Sequence, residues 1–417
     1  MKNKRLVNAM QNAALLLLTL SALFLLSRTP LLSGRLAASP AAALAPQPTA
    51  QPADELNAML GSVHIMVTAD SEYGRYGQLC AGREDPLVQK IIPLLREALG
   101  SAAEPEETSQ QDFRAALEGT GLYMDFIAPL PLAAVAACLG ETVPFDRPVR
   151  AVALAAGGET ASMYLLEEDG SLSWCATALP VSAVQSICAG VTPNGSFFAY
   201  ETNYSALKPY TLLAAQVSQP PELQADLPLG YTAYNLLTAL DFNAHTNSRY
   251  TDWDGAEVVE ESPRTLRISP EGMVYYSSAG TAALPLYKAA STALPDALHT
   301  AWDLASVLTE GTGASPLYLR GVEETETGYV IRFRYQAEDI PVCFPDESDA
   351  LAVTISGLSV TGFSYRCRFY TPLEETDSEP LLPPSMAAAI ASLRPDSGLT
   401  AAYVDAGGTQ LSPCWLS

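Results

Sequence analysis

The chain has 417 residues, of which 48% are hydrophobic and 17% are charged, a composition that provides packed cores and excludes a mainly disordered protein. Its length predicts two or three domains rather than one. Lys and Arg number 23 against 46 Asp and Glu, a net charge of -23, so nucleic acid is excluded as a partner because its phosphates would be repelled.

The N-terminal segment has the pattern of a single membrane-spanning helix. It carries no charge from Leu6 to Ser27, and a helix of this length spans ~33 Å, close to the ~30 Å core of a bilayer. The basic residues before it predict a cytoplasmic N-terminus, a single pass through the cell membrane and an extracellular body. A cleaved signal peptide is the alternative. Its best cleavage site, Ala43-Leu44-Ala45, lies far from the apolar run, so the pattern favours an uncleaved anchor.

One face of this predicted helix carries amide and small side chains. Asn8 and Asn12 are four residues apart and share a face, and Ala9 and Ala13 form the adjoining row. Amides within a membrane favour bonds to a partner helix, and small neighbours allow close approach. These four residues are therefore the predicted transmembrane contact with a partner. The alternative is that both asparagines lie hydrated in the cytoplasmic headgroup layer.

The chain after the anchor mixes helical and strand patterns, which predicts a multi-domain α+β ectodomain. Residues 1–28 would form the cytoplasmic tip and transmembrane helix, and residues 29–54 an Ala/Pro-rich linker. The predicted parts beyond the linker are an N-terminal α+β domain at 55–215, a central α+β domain at 222–290, a C-terminal α+β domain at 291–375 and a tail at 376–417.

The N-terminal region begins with a strand and a helix. Val63–Thr68 is alternating and β-branched, which predicts a strand. Asp85-Pro86 has the cap and first-turn residues of a helix whose apolar positions continue to Gly100. The further predicted elements are a capped helix at Ser109–Gly119, a strand at Leu122–Ile127, a helix at Leu130–Gly140, and strands at Val149–Ala156, Ser162–Glu168 and Ser171–Ala178.

The central and C-terminal regions repeat one order of elements, a helix followed by strands. Apolar positions from Ala233 to Leu240 predict the first helix, and Thr265–Ser277 reads as a hairpin with a Pro-Glu-Gly turn. An apolar stripe from Leu298 to Leu308 predicts the second helix, with Gly311 as its stop. The strands predicted after it are Leu317–Glu324, Gly328–Gln336, Ile340–Phe344, Ala350–Gly357 and Gly362–Tyr370.

Motifs for catalysis, metals or cofactors are not found in the sequence. His64, His245 and His299 lie in different regions without zinc-ligand spacing, and His64 within a strand is interpreted as structural. The acidic segment Asp241–Glu261 contains DWDG, a partial match to a calcium loop whose simpler interpretation is a turn with solvated carboxylates. The sequence therefore predicts a non-enzyme without a cofactor or a metal.

The seven cysteines form no CxxC pair. Cys343 and Cys367 lie on strands that are predicted to be neighbours, and a disulfide would need those strands to pair in register. Two buried thiols are the alternative, and the sequence supports it at least as well.

Three stretches of the chain resemble the YycH/YycI family. They are FRAALEGTGLYMDFIAPLPLAAVAACLG at Phe113–Gly140, LDFNAHTNSRYTDWDGAEVVEESPRTLRISPEGMVYYSSAG at Leu240–Gly280, and GYVIRFRYQAEDIPVCFPDESDALAVTISGLSVTGFSYRCRFYTP at Gly328–Pro372. Members of this family are membrane-anchored, extracytoplasmic regulators of the WalK-type sensor histidine kinase. The resemblance implies no catalytic residues, and the Ala/Pro linker and the tail fall outside it.

The function implied by this resemblance is that of a non-enzymatic, membrane-anchored regulator of a two-component sensor histidine kinase controlling cell-wall homeostasis. Its implied partners are the kinase, the membrane and a second, YycI-like regulator. The alternative is a cell-wall-binding protein or an unrecognised wall hydrolase, because paired carboxylates are invisible in sequence and the tyrosines and tryptophans would suit a glycan groove.

Overall fold

The computed structural model describes residues 56–69, 74–202, 204, 206–215, 217, 219–245, 248–278, 284–373 and 380–417. The predicted transmembrane helix, its contact residues Asn8, Ala9, Asn12 and Ala13, and the predicted linker lie outside these residues. Among the residues that are described, no helix is both long and apolar enough to cross a membrane.

The described residues form seven α-helices and 23 strands. The helices are α1 Pro86–Gly100, α2 Gln110–Glu118, α3 Leu132–Cys138, α4 Val181–Cys188, α5 Ala233–Ala239, α6 Leu294–Thr312 and α7 Pro384–Ala391. The strands are β1 Val63–Thr68, β2 Arg75–Ala81, β3 Glu106–Glu107, β4 Gly121–Pro131, β5 Pro148–Ala156, β6 Thr160–Glu167, β7 Leu172–Pro180, β8 Phe197–Phe198, β9 Leu212–Leu213, β10 Leu223–Asp226, β11 Arg249–Thr251, β12 Glu257–Glu261, β13 Arg264–Ile268, β14 Met273–Ser278, β15 Leu317–Thr325, β16 Gly328–Ala337, β17 Ile340–Cys343, β18 Leu351–Ser356, β19 Ser359–Arg366, β20 Phe369–Pro372, β21 Thr400–Val404, β22 Gln410–Leu411 and β23 Pro413–Leu416.

An antiparallel sheet of seven strands, in the order β2-β1-β4-β5-β6-β7-β3, forms the N-terminal part. Successive side chains of a strand point to opposite faces, and here both faces are covered. Ile65 and Val67 of β1 belong to the main core with α1, α3 and α4. Met66 belongs to a second cluster with Phe113 of α2 and with residues at 198–200 and 210–214.

Capping residues begin the helices of this part where the sequence predicts. The Asp85 carboxylate accepts a hydrogen bond from Leu87 N at 2.7 Å and begins α1, and Ser109 accepts one from Asp112 N at 3.0 Å and begins α2. The prediction for α6 is wrong at its end. The helix continues past Gly311 to Thr312 and ends at Gly313, whose φ of 75° is the left-handed conformation of a helix stop.

A second, larger sheet of eleven strands follows the path β11-β12-β13-β14-β19-β18-β16-β17-β21-β23, with β15 paired to β16. Its inner face packs on α5 and α6 through such residues as Tyr276, Phe333 and Leu304. Strands of the predicted central region, the C-terminal region and the tail all lie in this sheet. Strand pairing therefore connects these three regions within one sheet. The residue limits of the three domains remain a prediction from the sequence.

Residues 380–417, which the sequence leaves as a tail, contribute α7 and three strands. They also explain why the strand predicted at Gly362–Tyr370 is divided into β19 and β20. The Asp405 carboxylate is fully buried, pairs with Arg368 Nε at 3.0 Å and accepts from Tyr370 Oη at 2.9 Å. This contact draws β20 away from the large sheet to pair with β10.

The proposed cysteine pair does not lie on neighbouring strands. β17, with Cys343, is separated from β19, which ends just before Cys367, by β16 and β18. Strands are spaced ~4.8 Å apart, so the two thiols lie on the order of 14 Å from each other, beyond the reach of a disulfide. The prediction fails because β17 pairs with β16 and β21, whereas β19 pairs with β14 and β18. Both thiols are free.

Candidate functional site

The predicted metal and histidine sites are dispersed in the structure. His64 lies on β1, His245 in the exposed loop after α5, and His299 on α6. Within the described ranges, no group of three or more His, Cys, Asp or Glu residues is arranged to hold a metal. The DWDG turn instead binds a guanidinium, because Arg267 pairs with both Asp252 and Asp254.

A cavity of about 600 Å³, the N-terminal cavity, lies beside the second cluster of the seven-stranded sheet. Its floor is formed by His64, Asp125 and Arg150 on the adjacent strands β1, β4 and β5. Its wall comes from residues 208–212 and from the loop before β21. These two segments hold each other, since Lys208 N donates to Ser397 O at 2.8 Å.

His64 is 2% exposed and has one satisfied ring nitrogen. Its Nδ1 accepts a hydrogen bond from Cys80 N at 3.1 Å, so the neutral ring carries its proton on Nε2. Nε2 is buried and has no hydrogen-bond partner in the described part of the chain. Burial lowers the pKa of His64 from 6.5 to about 4, against the opposing effect of Asp125, so the ring is neutral at neutral pH.

Asp125 and Arg150 form a buried ion pair beside this histidine. Arg150 Nε donates to Asp125 Oδ1 at 2.6 Å, with 7% of the aspartate and 25% of the arginine side chain exposed. Between Asp125 and Leu130 the register of β4 shifts against β5. There Ile127 takes a φ of 66°, uncommon for a β-branched residue, and its N–H donates to Asp125 at 2.7 Å. The bulge therefore fixes the carboxylate.

A second candidate site is the outer face of the large sheet. Tyr250, Arg267 and Tyr275 stand in one row across β11 to β14, since Tyr250 pairs with Val258, Val258 with Arg267, and Arg267 with Tyr275. Trp253 in the adjoining turn is 93% exposed, and the two tyrosines are 50% and 45% exposed. We call Tyr250, Trp253, Arg267 and Tyr275 the aromatic face.

A third surface is an apolar groove of about 740 Å³ beside α7 and β23. Met386 and Ile390 of α7 are 55% and 57% exposed, and Leu393 is 82% exposed. Trp415 closes one side by donating its Nε1–H to Leu382 O at 2.9 Å. Nothing in the described residues indicates what covers this groove.

The chain is thus an α+β protein built on two large sheets, with a polar cavity in one and an uncovered aromatic face on the other. Its fold is similar to that of YycH from Bacillus subtilis, with a TM-score of 0.53 and 11% sequence identity. The likeness covers 86% of this chain and 94% of the YycH chain, which confirms the predicted YycH-like fold. No family model matches the sequence, and no curated protein matches it.

The sequence pointed to few of these site residues. The sequence indicates a structural histidine at His64, but the hydrogen bond from Cys80 N to its Nδ1, which leaves the proton on Nε2, follows no sequence pattern. Asp125 and Arg150 lie in strands predicted correctly, yet their pairing requires the bulge at Ile127. The sequence does indicate that Trp253 is exposed, because it lies in a turn of acidic residues. The predicted contact Asn8, Ala9, Asn12 and Ala13 lies outside the described residues.

Proposed function

We propose that this chain is a non-enzymatic accessory protein that regulates a sensor histidine kinase through protein contacts outside the cell, and so contributes to cell-wall homeostasis. The observation that carries the proposal is the similarity of its fold to YycH over 86% of the chain. The YycH/YycI-like stretches of the sequence support the same role. To shift the kinase from one signalling state to another, the chain has only to bind the two states with free energies that differ by a few kcal/mol.

The aromatic face is the proposed contact with the kinase. Trp, Tyr and Arg are enriched at the energetic centres of protein interfaces, and this face combines all three. An antiparallel sheet is stable with one face in water, so the fold does not require these rings to be covered. The uncovered rings are therefore available for a partner.

Co-purification with the kinase tests this contact. The full-length chain and the kinase would be expressed together, solubilised in detergent and captured through the kinase. Trp253→Ala combined with Tyr275→Ala is expected to reduce recovery of the chain about tenfold or more. Tyr234→Ala, which removes a 60% exposed tyrosine from α5 on the opposite side of the sheet, is the matched control. Equal recovery of all three proteins would contradict the proposed contact.

The proposed localisation is a single-pass anchor with an extracellular body, as the charge pattern around Leu6–Ser27 predicts. Protease added to intact protoplasts is expected to digest the chain beyond about residue 35 and leave a short membrane-bound fragment. Complete protection, or release of the body into the medium, would contradict it.

Cell-wall binding is the second candidate function, and the 93% exposed ring of Trp253 favours it. Aromatic rings offer apolar faces on which sugar rings can stack. Sedimentation of the full-length chain with purified peptidoglycan distinguishes the two functions. Peptidoglycan binding that is lost in Trp253→Ala, together with no recovery of the chain when the kinase is captured, would favour the wall.

A further inference from the structure

The outer face of the large sheet continues beyond the aromatic face. Tyr275 on β14 pairs with Ser364 on β19, Ser364 with Ala352 on β18, and Ala352 with Arg332 on β16. These four residues stand in one row, so only the small side chains of Ser364 and Ala352 lie between the tyrosine ring and the guanidinium. A partner that is seated on the aromatic face is therefore in line with Arg332.

Three arginines lie together at the end of this row. Arg332 Nη1 and Arg320 Nε approach the two oxygens of the Asp349 carboxylate at 3.4 and 3.8 Å. Arg334 Nη1 donates to Cys343 Sγ at 3.3 Å. Burial raises the pKa of the Cys343 thiol, and the charges of Arg334 and Arg320 oppose this rise, so both guanidiniums lie near the same sulfur. We call Arg320, Arg332 and Arg334 the arginine group.

The carboxylates beside the arginine group are too few to neutralise it. In the described part of the chain, Glu323 and Asp349 form ion pairs with its three guanidiniums, although the net charge of the whole chain is -23. Arg320 approaches Asp349 only at 3.8 Å, beyond hydrogen-bond distance. The one hydrogen bond of the Arg334 side chain among these residues goes to a thiol sulfur, which is a weak acceptor. The group therefore has one positive charge in excess and unused donors.

Part of the arginine group is open to solvent. The Arg320 and Arg332 side chains are 34% and 33% exposed, and Arg334 is half-buried. Nε of Arg320 and Nε of Arg334 are buried, so a partner could touch only their terminal nitrogens. The face is covered next to Arg334, where Ser62 N donates to Gln336 Oε1 at 2.9 Å. The arginine group thus marks the end of the uncovered part of the face.

We propose that the arginine group binds an acidic segment of the kinase, an assignment that rests on the proposed function and adds the chemistry of the partner. Carboxylates of this segment accept charge-assisted hydrogen bonds from the terminal nitrogens of Arg320 and Arg334, while neighbouring residues pack on the aromatic face. The acidic remainder of the chain repels such a segment elsewhere, so the arginine group also fixes where it binds.

Capture through the kinase in detergent, where no bilayer is present, tests this chemistry. Arg320→Gln with Arg334→Gln removes two charges and is expected to lower recovery of the full-length chain about tenfold. Arg83→Gln with Arg394→Gln is the matched control. It removes the same charge from two arginines that form no ion pair within the described ranges, and it should be recovered like the wild type.

Salt dependence separates the arginine group from the aromatic face. Raising NaCl from ~0.05 M to ~0.5 M screens charge pairs but not apolar contacts, so recovery of the wild type is expected to fall. The binding that remains in Trp253→Ala with Tyr275→Ala should fall in the same way, whereas that of the double Gln variant should change little. A wild-type recovery that is independent of salt would overturn the acidic partner.

The outcomes separate this contact from the proposed function. If the wild type and the double Gln variant are recovered equally, the kinase contact stands and the arginine group has no part in it. If the wild type itself is not recovered, the proposed function fails and the acidic contact with it. Arg320→Lys with Arg334→Lys keeps both charges and should be recovered better than the Gln variant at low salt. Equal recovery of the Lys and Gln variants would contradict recognition by charge.

Discussion

The two large sheets differ in how much of their second face is covered. Helices cover one face of the seven-stranded sheet, and α2 with residues 198–200 and 210–214 covers the other. The eleven-stranded sheet is packed on α5 and α6 on its inner face, and its outer face carries exposed tyrosines over β11 to β14, whereas Tyr318 of β15 on that face is 7% exposed. A cover laid over a sheet can leave an enclosed cavity, whereas an uncovered face can present side chains to a protein. The fold thus separates the N-terminal cavity from a proposed contact surface.

The two sheets also differ at one edge each: the edge strand β2 of the smaller sheet is blocked, and the edge strand β11 of the larger sheet is open. In the smaller sheet, the Asn194 amide pairs with the edge strand β2, donating to Gly77 O at 2.8 Å and accepting from Gly77 N at 3.0 Å. This side chain takes the place of a neighbouring strand and blocks further pairing there. The edge strand β11 of the large sheet has three exposed residues. The smaller sheet is closed at this edge, and the larger one is open beside the aromatic face.

The largest expected effect comes from breaking a buried ion pair in the covered sheet. Arg150→Leu leaves the buried Asp125 carboxylate without its partner, and we expect it to lower the free energy of unfolding by about 3–5 kcal/mol. Arg267→Leu removes the matched guanidinium from the outer face of the large sheet, where about 1 kcal/mol or less is expected. Urea unfolding measures both. Equal losses would remove the distinction between covered and uncovered faces.

Two adjacent tyrosines on β14 provide a sharper comparison. Tyr276 points to the core and is 3% exposed, whereas Tyr275 points outward and is 45% exposed. Tyr276→Ala is expected to cost about 3–5 kcal/mol, because it leaves a cavity, and Tyr275→Ala about 0.5 kcal/mol or less. Thermal and urea unfolding of the two variants check this. A large loss for Tyr275→Ala would mean that the outer face is covered in the folded protein.

The stability of the folded protein is also expected to depend on pH, because His64 is buried in the covered sheet. Its pKa is about 4 in the folded protein and 6.5 without burial, so between these values the unfolded chain binds a proton that the folded chain does not. The stability contribution of the neutral ring is complete above pH 6.5, and about 3 kcal/mol is lost as the pH falls to 4. His64→Gln keeps an acceptor for Cys80 N but cannot titrate. If the variant loses as much stability as the wild type over this range, His64 is not the cause.

The smallest effect is expected at the predicted transmembrane helix. Asn8→Leu with Asn12→Leu should retain insertion but weaken co-purification with the kinase, since interhelical amide bonds contribute ~0.6–2 kcal/mol. Leu16→Ile with Leu23→Ile is the control and should change little. Full recovery of the double Leu variant would mean that the helix is only an anchor and that the outer body carries the binding.

The sequence predicted the elements that depend on local chemistry. The caps at Asp85 and Ser109 and the alternation of Val63–Thr68 specify their elements within a few residues of chain. The break between β19 and β20 could not be predicted, because it depends on Asp405, which lies far along the chain in a segment without a clear pattern. The cavity was missed for the same reason: His64, Arg150 and Gly398 are brought together only by the tertiary fold.

Site-specific photo-crosslinking in living cells tests the central claim, that the chain acts by contacting a sensor kinase through the uncovered face of its large sheet. A photoreactive amino acid would replace Tyr275 on this face or, as the control, Tyr234 on α5. A covalent adduct with the kinase is expected from position 275 and none from position 234. Adducts from position 234 alone, or from neither position while the kinase is present, would contradict it.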